Sequence, residues 1–402
     1  MRSKLKILYI HQDGLITGSF LSLKYLILGL NQDKYYAEVL FLNDGPALKE
    51  MESIGIRTYL LQTPTFWTYP GPKFLSRGNL QNYKALFPNT KLRKLIASIN
   101  PSLVHINDKA ALNAGISMLG LNIPIVQHVR STFYIIDATI NEWIQKKIIR
   151  LYADKIIGIT EAEYNEFKSN KTNCIYNSID TTEAEVACLN VSKTREELKI
   201  SDKTINIAWV AKYNRQKGLW DFLEIAKSLL KKYPNNTFRF YMVGSLPNEQ
   251  QLELDSNGNK TNVLEKLNHY LSDEEMRNGI ILLGYRSDYL KIMAAMDIVV
   301  NCNRLGSMGR QTFETMAVGT VSISTHRYPE LTQMIINGQD GFTVKEGDIN
   351  SICTIIEKLK SEKNEIKQIS INAKQKAKAE FDNIKQTLKI TNLYDTLLNN
   401  EK

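Results

Sequence analysis

Residues 205–223 read INIAWVAKYNRQKGLWDFL, and this stretch indicates the fold class. Its first six residues are mostly apolar and rich in β-branched types, a composition typical of a buried strand. A basic loop with one glycine comes next. Apolar residues then recur at the spacing of an amphipathic helix, at Leu219, Phe222, Leu223, Ala226, Leu229 and Leu230. A strand that leads through a short loop into a helix is the repeating unit of parallel α/β sheets.

The same alternation of apolar strands and helical periods continues on both sides of this stretch. On its N-terminal side we predict strands at residues 6–11, 37–42, 57–61, 103–106, 123–128, 155–159 and 173–176. After residues 205–210, further strands are predicted at residues 238–243, 280–283, 297–301, 321–325 and 342–344. Two doubly wound, Rossmann-like α/β domains therefore account for the chain.

A polar stretch at residues 181–202 interrupts the alternation and indicates a domain boundary. We predict a first domain over residues 1–190 and a second over residues 191–380. Residues 381–402 are expected to form a C-terminal helix that packs back on the first domain. The total of 402 residues agrees with two domains, because a single hydrophobic core rarely grows beyond roughly 300 residues.

The composition argues against several classes of protein. The excess of 51 Lys and Arg over 42 Asp and Glu is spread over both halves, so a nucleic-acid partner is not expected. The four cysteines are far apart, which indicates neither a disulfide framework nor a zinc site and favours a cytoplasmic location. No apolar run reaches the ~18 residues of a membrane span. Any membrane contact is therefore expected to be peripheral, at the inner face of the cytoplasmic membrane.

The basic loop in the opening stretch could hold an anion. Lys212 and Lys217 lie between a strand and a helix, where doubly wound sheets bind their ligands. A lysine in the first turn of a helix is unfavourable with the helix dipole, and a diphosphate between the two lysines would compensate for it. The alternative is a solvated basic turn without a ligand, and the loop alone does not decide between the two.

A second loop with glycines precedes another predicted helix, within residues 303–319. Its small residues would let backbone N–H groups approach a ligand. Glu314, early in the helix, could accept two hydroxyl hydrogen bonds from a ribose. The alternative for Glu314 is a carboxylate that only complements the dipole at a helix start.

Two segments of the first half add further candidate site residues. Gly14 and Gly18 follow the first strand, and His128 and Arg130 end another strand of the same domain. A lone histidine is more often a buried, hydrogen-bonded residue than a ligand-binding one, but a strand end beside an arginine favours the ligand interpretation. The sequence contains no Asp-x-Asp, dinucleotide fingerprint or P-loop, so no metal site is predicted.

Taken together, these segments resemble the retaining glycosyltransferases of family 4. The resemblance covers nearly the whole chain, in family order, and implies the GT-B fold, in which two facing domains hold the active site in the cleft between them. The segments that carry it are the loop at Gly18, Val126–Arg130, Ala153–Glu161, Ile175–Asp180, Lys217-Gly218, Val243–Ser245, Leu283–Arg286, Glu314 and Pro329-Glu330.

The resemblance implies transfer of a sugar from a nucleotide-diphosphate sugar to a saccharide or lipid-linked saccharide, without a metal or other cofactor. Bacterial surface polysaccharide biosynthesis is the expected setting. The implied catalytic residues are Lys212, Lys217, Glu314 and His128. The implied donor contacts are Gly18, Gly244, Tyr285, Arg286, Ser307, Met308, Gly309 and Arg310, and the implied acceptor contacts are Gly14, His128 and Arg130.

Two positions depart from the family pattern. The family carries a pair of glutamates with seven residues between them; Glu314 matches the second, whereas Gly306 replaces the first, which holds hydroxyls of the donor sugar. Lys212 stands where arginine is usual, so the charge is kept while the bidentate geometry is lost. A nucleotide-sugar epimerase of similar architecture and a non-catalytic nucleotide-sugar binder therefore remain open as alternatives.

Two features bear on the acceptor. Residues 65–74 form an aromatic loop that could touch a lipid carrier or a sugar face, or else pack on its own domain. Residues 140–151 read as a basic amphipathic helix whose apolar stripe contains Ile140, Trp143, Ile144, Ile148 and Leu151. Such a stripe packs in a core more often than it faces a membrane.

Overall fold

The computed structural model describes residues 4–67, 82–131, 139–233, 236–254, 258–304, 306, 308–327 and 334–399. They form two compact units, and each is described by itself. The first unit comprises Met1–Ser178 and Phe381–Lys402, and the second comprises Ile179–Glu380.

A parallel sheet of seven strands forms the centre of the first unit, in the order β3-β2-β1-β4-β5-β6-β7. The strands are β1 (Leu5–His11), β2 (Tyr35–Phe41), β3 (Arg57–Leu60), β4 (Leu103–Asn107), β5 (Ile125–Val129), β6 (Lys155–Gly158) and β7 (Thr172–Cys174). The strands predicted for this half of the chain are confirmed. In the register of the sheet, Tyr9 of β1 lies opposite His105 of β4, and His128 of β5 lies opposite Asn107.

Helices cover both faces of this sheet. They are α1 (Gly18–Leu28), α2 (Pro46–Ser53), α3 (Thr90–Ile99), α4 (Leu112–Met118), α5 (Thr139–Tyr152), α6 (Glu161–Phe167) and, at the other end of the chain, α16 (Asn383–Asn399). Apolar side chains of α3, α4 and α5 pack on one face. On the other face, Phe20 of α1 and Tyr394 of α16 join the cluster that contains Tyr9.

Helix α5 corrects one expectation about its apolar stripe. Ile140, Trp143 and Leu151 are exposed, whereas Ile149 and Tyr152 face the core. Ile148, also in the predicted stripe, is half-buried and packs against the same core. The predicted stripe therefore coincides with the core-facing side only in part. No helix within the described ranges is both long and apolar enough to cross a membrane.

The second unit contains a parallel sheet of six strands, in the order β12-β9-β8-β13-β14-β15. Its strands are β8 (Ile205–Val210), β9 (Phe238–Val243), β12 (Ile280–Gly284), β13 (Ile298–Asn301), β14 (Val321–His326) and β15 (Phe342–Lys345). All six were predicted. A separate antiparallel hairpin, β10 (Leu252–Leu254) with β11 (Lys260–Asn262), was not.

The helices of the second unit are α7 (Thr181–Leu189), α8 (Val191–Glu197), α9 (Leu219–Lys232), α10 (Val263–Leu271), α11 (Glu274–Gly279), α12 (Tyr289–Ala294), α13 (Arg310–Val318), α14 (Ile349–Ser361) and α15 (Lys363–Glu380). The first two occupy the polar stretch at which the domain boundary is predicted. Helix α7 packs on α12 and α13, and its Ala184 and Ala187 are buried. The division after Ser178 therefore differs from the predicted boundary at residue 190.

In each sheet the strand order reverses between two neighbouring strands, β1 and β4 in the first unit and β8 and β13 in the second. The loops that follow two such strands leave the sheet in opposite directions. A crevice therefore opens at their carboxyl ends, and this is where doubly wound sheets bind ligands.

Candidate active site

Two loops line the crevice of the second unit, one after β8 and one after β13, and they touch at Gly218. This glycine has a φ of +77°. A Cβ atom at this position would lie 2.0 Å from the carbonyl oxygen of Cys302 and 2.3 Å from its Cβ atom. Glycine is therefore required both for the left-handed backbone and for the close approach of the two loops.

Lys217 precedes this glycine and is half-buried. It ends a 3₁₀ turn, Arg215–Lys217, rather than lying in the first turn of helix α9 as predicted. The side chain of Asn214 closes the turn by accepting the Lys217 N–H at 2.8 Å. Burial lowers the pKa of the Lys217 ammonium, and no carboxylate among the described residues offsets this effect. The crevice thus contains a cation that an anionic ligand would stabilise. Lys212, in the same loop, is exposed.

Gly244 connects the loop after β9 to this crevice. Its N–H donates to the carbonyl oxygen of Gly284 at 2.9 Å. A Cβ atom at Gly244 would lie 2.0 Å from the carbonyl oxygen of Ala211. The predicted donor contact at Gly244 is therefore also a point where backbone segments pack closely.

The next two predicted donor contacts, Tyr285 and Arg286, follow β12. Tyr285 is 75% exposed. Arg286 forms a bidentate pair with Asp288, at 2.7 and 2.8 Å, and a third bond to Glu197 at 3.2 Å. Hydrogen bonds to Asp288 and then Glu197 raise the pKa of Arg286, so its charge is already paired within the protein.

Glu314 lies in α13 and is buried at 6% exposure. Its Oε1 accepts hydrogen bonds from the Tyr289 hydroxyl at 2.9 Å and from Nε of Arg310 at 2.7 Å. Glu314 and Arg310 are four residues apart on the helix and form an ion pair. The structure therefore brings these two predicted site residues together in an ion pair within the helix.

The loop before α13 is described only in part. Met308 is buried, and Gly309 precedes the first residue of the helix without a side-chain cap. Gly306 has a φ of +79°, so the residue that replaces the family glutamate sits in a backbone conformation that favours glycine. Ser307 and the predicted segment Pro329-Glu330 lie outside the described residues.

One pair of residues in this crevice was not predicted. Arg304, after β13, forms a bidentate ion pair with Asp221 in the first turn of α9, at 2.6 and 2.5 Å. The pair joins the same two loops that meet at Gly218. It also lines a cavity of about 160 Å³ together with Arg215, Trp220, Glu253, Thr261 and Lys266. The sequence feature that could have indicated this pair is the position of Arg304 at the end of a predicted strand.

In the first unit, polar side chains meet across β1 and β4 at the corresponding crevice. Nε of Arg130 donates to the side-chain amide oxygen Oδ1 of Asn107 at 2.5 Å, and Asn107 Nδ2 donates to Nδ1 of His11 at 2.9 Å. An arginine can only donate, so the Asn107 group that faces Arg130 is the amide oxygen and the group that faces His11 is the NH₂ donor. Nδ1 of His11 therefore accepts, and its proton lies on Nε2, which is 3.7 Å from the Asp13 carboxylate. Asp13 is partly buried, and burial raises its pKa.

Asp108, which follows β4, is a further residue that sequence reasoning missed. It has a φ of +95°, unusual for a residue other than glycine. Its carboxylate accepts the Lys109 N–H at 2.7 Å and the Arg130 N–H at 3.2 Å. The strained turn therefore positions the backbone of Arg130, and the signal for it was a polar pair, Asn107-Asp108, at a strand end.

His128 is a buried histidine at 1% exposure. Its Nδ1 lies 3.2 Å from Nε2 of His105, and its Nε2 has no hydrogen-bond partner among the described residues. Burial and then the charge of Arg130 lower the pKa of His128, which is therefore neutral. His128 is therefore a buried, hydrogen-bonded histidine through Nδ1, while its Nε2 leaves the ligand-binding interpretation open.

The two predicted glycines after β1 differ in their surroundings. A Cβ atom at Gly14 would lie 2.3 Å from the carbonyl carbon of Asp44, so this glycine allows two loops to pack. At Gly18 a Cβ atom would meet no neighbour within 4 Å. Gly18 is the first residue of α1, which Thr17 caps. In the described part of the chain, no group of three His, Cys, Asp or Glu side chains is placed to hold a metal ion.

Comparison with known families assigns both units. The family described as Glycosyltransferase Family 4 matches residues 16–183, and the family described as Glycosyl transferases group 1 matches residues 190–376. A curated relative, the capsular polysaccharide biosynthesis glycosyltransferase CapM of Staphylococcus aureus, is 22% identical over 264 residues. That match covers 64% of this chain, and the chain spans 65% of the length of CapM.

Solved structures with the same fold cover almost the whole chain. HepE of Anabaena in complex with UDP has a TM-score of 0.77 and 20% identity, over 98% of this chain and all of that one. Its complex with UDP-glucose has a TM-score of 0.74 and 20% identity, with the same coverage. Sucrose-phosphate synthase of Thermosynechococcus elongatus has a TM-score of 0.73 and 16% identity, over 98% of this chain and 99% of that one.

The two parallel-sheet units, with a ligand crevice at the carboxyl edge of each sheet, agree with these matches. The predicted fold class and family are confirmed. The chain belongs to the group 1, family 4 glycosyltransferases and has the GT-B fold.

Proposed function

We propose that this glycosyltransferase transfers a sugar, with retention, from a nucleotide-diphosphate sugar to a saccharide or lipid-linked saccharide in surface polysaccharide synthesis. The observation that carries the proposal is Lys217, a half-buried cation without a carboxylate partner among the described residues. It lies at the crevice of the second unit, held by the contact between Gly218 and Cys302.

Lys217 would act on the leaving group. When the bond between the sugar and the diphosphate breaks, the diphosphate oxygen keeps the electron pair and gains negative charge. A cation already fixed in place stabilises that charge without the cost of reorganisation. Because burial lowers the pKa of Lys217 in the free protein, a bound diphosphate is expected to raise it. The exposed Lys212 would add a second positive charge.

Glu314 would hold the ribose of the nucleotide. Its Oε1 already accepts bonds from Tyr289 and Arg310, and no hydrogen bond within the described residues uses its Oε2. We therefore propose that Oε2 accepts hydrogen bonds from the ribose hydroxyls and that Arg310 orients the carboxylate. The exposed ring of Tyr285 offers a face on which the base could stack.

UDP is the nucleotide to test first, because HepE was solved with UDP and with UDP-glucose. The name of CapM supports a polysaccharide acceptor. We place binding of that acceptor on the first unit, near Asp13 and Arg130, where hydroxyl-binding groups gather at the carboxyl edge of the sheet.

A lipid-linked acceptor would bring the enzyme to a membrane. Trp143, which is 60% exposed, and Lys147, whose ammonium lies 5.7 Å from the Trp143 ring, offer an apolar group beside a cation. Co-sedimentation with anionic vesicles is expected for the wild type and reduced for Trp143→Ala, with neutral vesicles as the control. Equal recovery in the supernatant with both vesicle types contradicts this part of the proposal.

The central experiment incubates the enzyme with labelled nucleotide sugars and a lipid-extracted acceptor. Lys217→Ala is expected to lower kcat at least a hundredfold, the usual effect of losing one stabilising group for a leaving or developing anion. Lys367→Ala removes an exposed lysine of the same unit and is the matched control. Unchanged transfer by Lys217→Ala overturns the site assignment. An altered sugar nucleotide without transfer would identify an epimerase, and binding without turnover a non-catalytic protein.

A further inference from the structure

A continuous chain of buried hydrogen bonds in the first unit connects the C-terminal helix to His128. The hydroxyl oxygen of Tyr394 in α16 lies 2.6 Å from Nδ1 of His105, and Nε2 of His105 lies 3.2 Å from Nδ1 of His128. The Tyr394 hydroxyl donates to the hydroxyl oxygen of Tyr9 at 3.3 Å. All four side chains are at most 1% exposed.

The strand register explains why these groups meet. Tyr9 and His105 lie opposite each other on β1 and β4, and side chains two residues apart on a strand share a face. Asn107 therefore shares the face of His105, and His128, opposite Asn107 on β5, shares it as well. This is the face that α16 covers, so the Tyr394 hydroxyl lies over the row of polar groups.

We call the hydrogen-bonded side chains of Tyr9, Tyr394, His105 and His128 the relay. The number of protons on these groups determines the tautomer of each histidine. A neutral imidazole carries one N–H and one lone pair. Because the Tyr394 hydroxyl donates its hydrogen bond to Tyr9, its oxygen accepts a hydrogen bond from Nδ1–H of His105. Nε2 of His105 then carries the lone pair and accepts from Nδ1–H of His128. The relay therefore leaves Nε2 of His128 as an acceptor, and no partner among the described residues uses it.

Both histidines of the relay stay neutral. Burial lowers the pKa of His105 and of His128, and the charge of Arg130 lowers both further. A second proton, which would turn Nε2 of His128 from an acceptor into a donor, is therefore excluded at neutral pH.

We propose that Tyr394, His105 and Tyr9 are positioning residues that hold His128 in its Nδ1–H tautomer, so that Nε2 accepts a hydrogen bond from a hydroxyl of the saccharide substrate. The inference rests on the proposed function, which supplies that substrate. His128 is the penultimate residue of β5, at the carboxyl edge where ligands bind. Because Nε2 is buried in the free chain, the substrate hydroxyl must open the strand end locally to reach it.

Nitrogen-15 NMR of histidine-labelled protein tests the relay without any activity measurement. The chain has five histidines, so the spectrum is simple, and His128→Gln assigns the signals of interest. We expect a protonated Nδ1 and an unprotonated Nε2 for His128 in the wild type. Tyr9→Phe removes the acceptor of the Tyr394 hydroxyl, which then donates to Nδ1 of His105. His105 then carries its proton on Nε2 and donates to Nδ1 of His128, so the His128 proton lies on Nε2.

Tyr35→Phe is the matched control. The Tyr35 hydroxyl donates to Asp395 of the same helix at 2.6 Å and takes no part in the relay. This variant should leave the His128 tautomer unchanged. A wild-type His128 protonated on Nε2 overturns the proposal, and so does an identical tautomer in the wild type and Tyr9→Phe.

Transfer kinetics then test the consequence for catalysis. Tyr9→Phe and Tyr394→Phe should each lower kcat about tenfold, the effect of losing one hydrogen bond to the substrate, while Tyr35→Phe keeps the wild-type rate. An inverted tautomer with an unchanged kcat overturns the proposal. If the wild type transfers no sugar, the proposed function fails, yet the NMR measurement still decides whether the relay exists.

Discussion

Replacing Gly218 with alanine measures how closely the two loops of the donor crevice are held together. The new Cβ atom would lie 2.0 Å from the carbonyl oxygen of Cys302, far inside a normal contact. The backbone at +77° adds a second cost, because this conformation is unfavourable for any residue with a Cβ atom. The left-handed conformation costs about 1–2 kcal/mol. Moving the loop apart costs about 1–3 kcal/mol more.

The second unit offers a matched control for the backbone cost alone. Gly338 has a φ of +75°, and a Cβ atom there would meet nothing within 4 Å. Gly338→Ala should therefore lose only about 1–2 kcal/mol of unfolding free energy. Gly218→Ala should lose about 2–5 kcal/mol, the sum of both costs.

Urea unfolding followed by circular dichroism compares the two variants, through the transition assigned to the second unit. UDP titration of the folded variants is the second readout. Gly218→Ala displaces Lys217 and should weaken UDP binding, whereas Gly338→Ala should not. If the two variants lose equal stability, within about 0.5 kcal/mol, the close contact between the loops does not constrain the fold.

Three further predictions concern pH, metal and an ion pair. Burial raises the pKa of Glu163 to about 7, above its usual 4.5, so the folded protein binds its proton more tightly than the unfolded chain does. Stability should therefore fall by up to about 3 kcal/mol as the pH rises from 4.5 to 7, and Glu163→Gln should lack this fall in urea titrations at several pH values. Sugar transfer should persist in excess EDTA, because the cations proposed to stabilise the leaving diphosphate are lysines; loss of activity that Mg²⁺ restores would contradict this. Asp221→Ala should lower the unfolding free energy by about 1–3 kcal/mol, because Arg304 loses a buried carboxylate partner, and an unchanged urea midpoint would contradict it.

The strands of both sheets were predictable because each is a short apolar run in a regular order. The hairpin β10–β11 was missed for the opposite reason. Leu252–Leu254 and Lys260–Asn262 are only three residues each, exposed or half-buried, and are too short for an apolar pattern to distinguish them from a loop. Helix α7 was missed because its buried residues are small, and their packing against α12 and α13 is a tertiary contact that no local pattern shows.

The candidate site was predictable in position but less so in its pairings. Strand ends and glycines indicated where Lys217 and Glu314 would lie. The pairing of Glu314 with Arg310 was not predicted, although Arg310 stands four residues before Glu314, at the spacing of a helical ion pair. The partners of His128 were not predictable, since Tyr394 is 289 residues from His105 in the chain. Contacts of that separation are set by the topology of the sheet and its covering helix.

The position of α16 in the chain has a consequence for biosynthesis. Its Ile390 and Tyr394 complete the apolar face of the first sheet, yet they are translated only after the whole second unit. At ~5–20 residues per second, the ribosome needs about 10–40 s to go from Ser178 to Tyr394. During that interval the part of the sheet face beside Tyr9 that α16 covers lacks this helix. The second unit is therefore the one able to complete its native structure first, although it is encoded later.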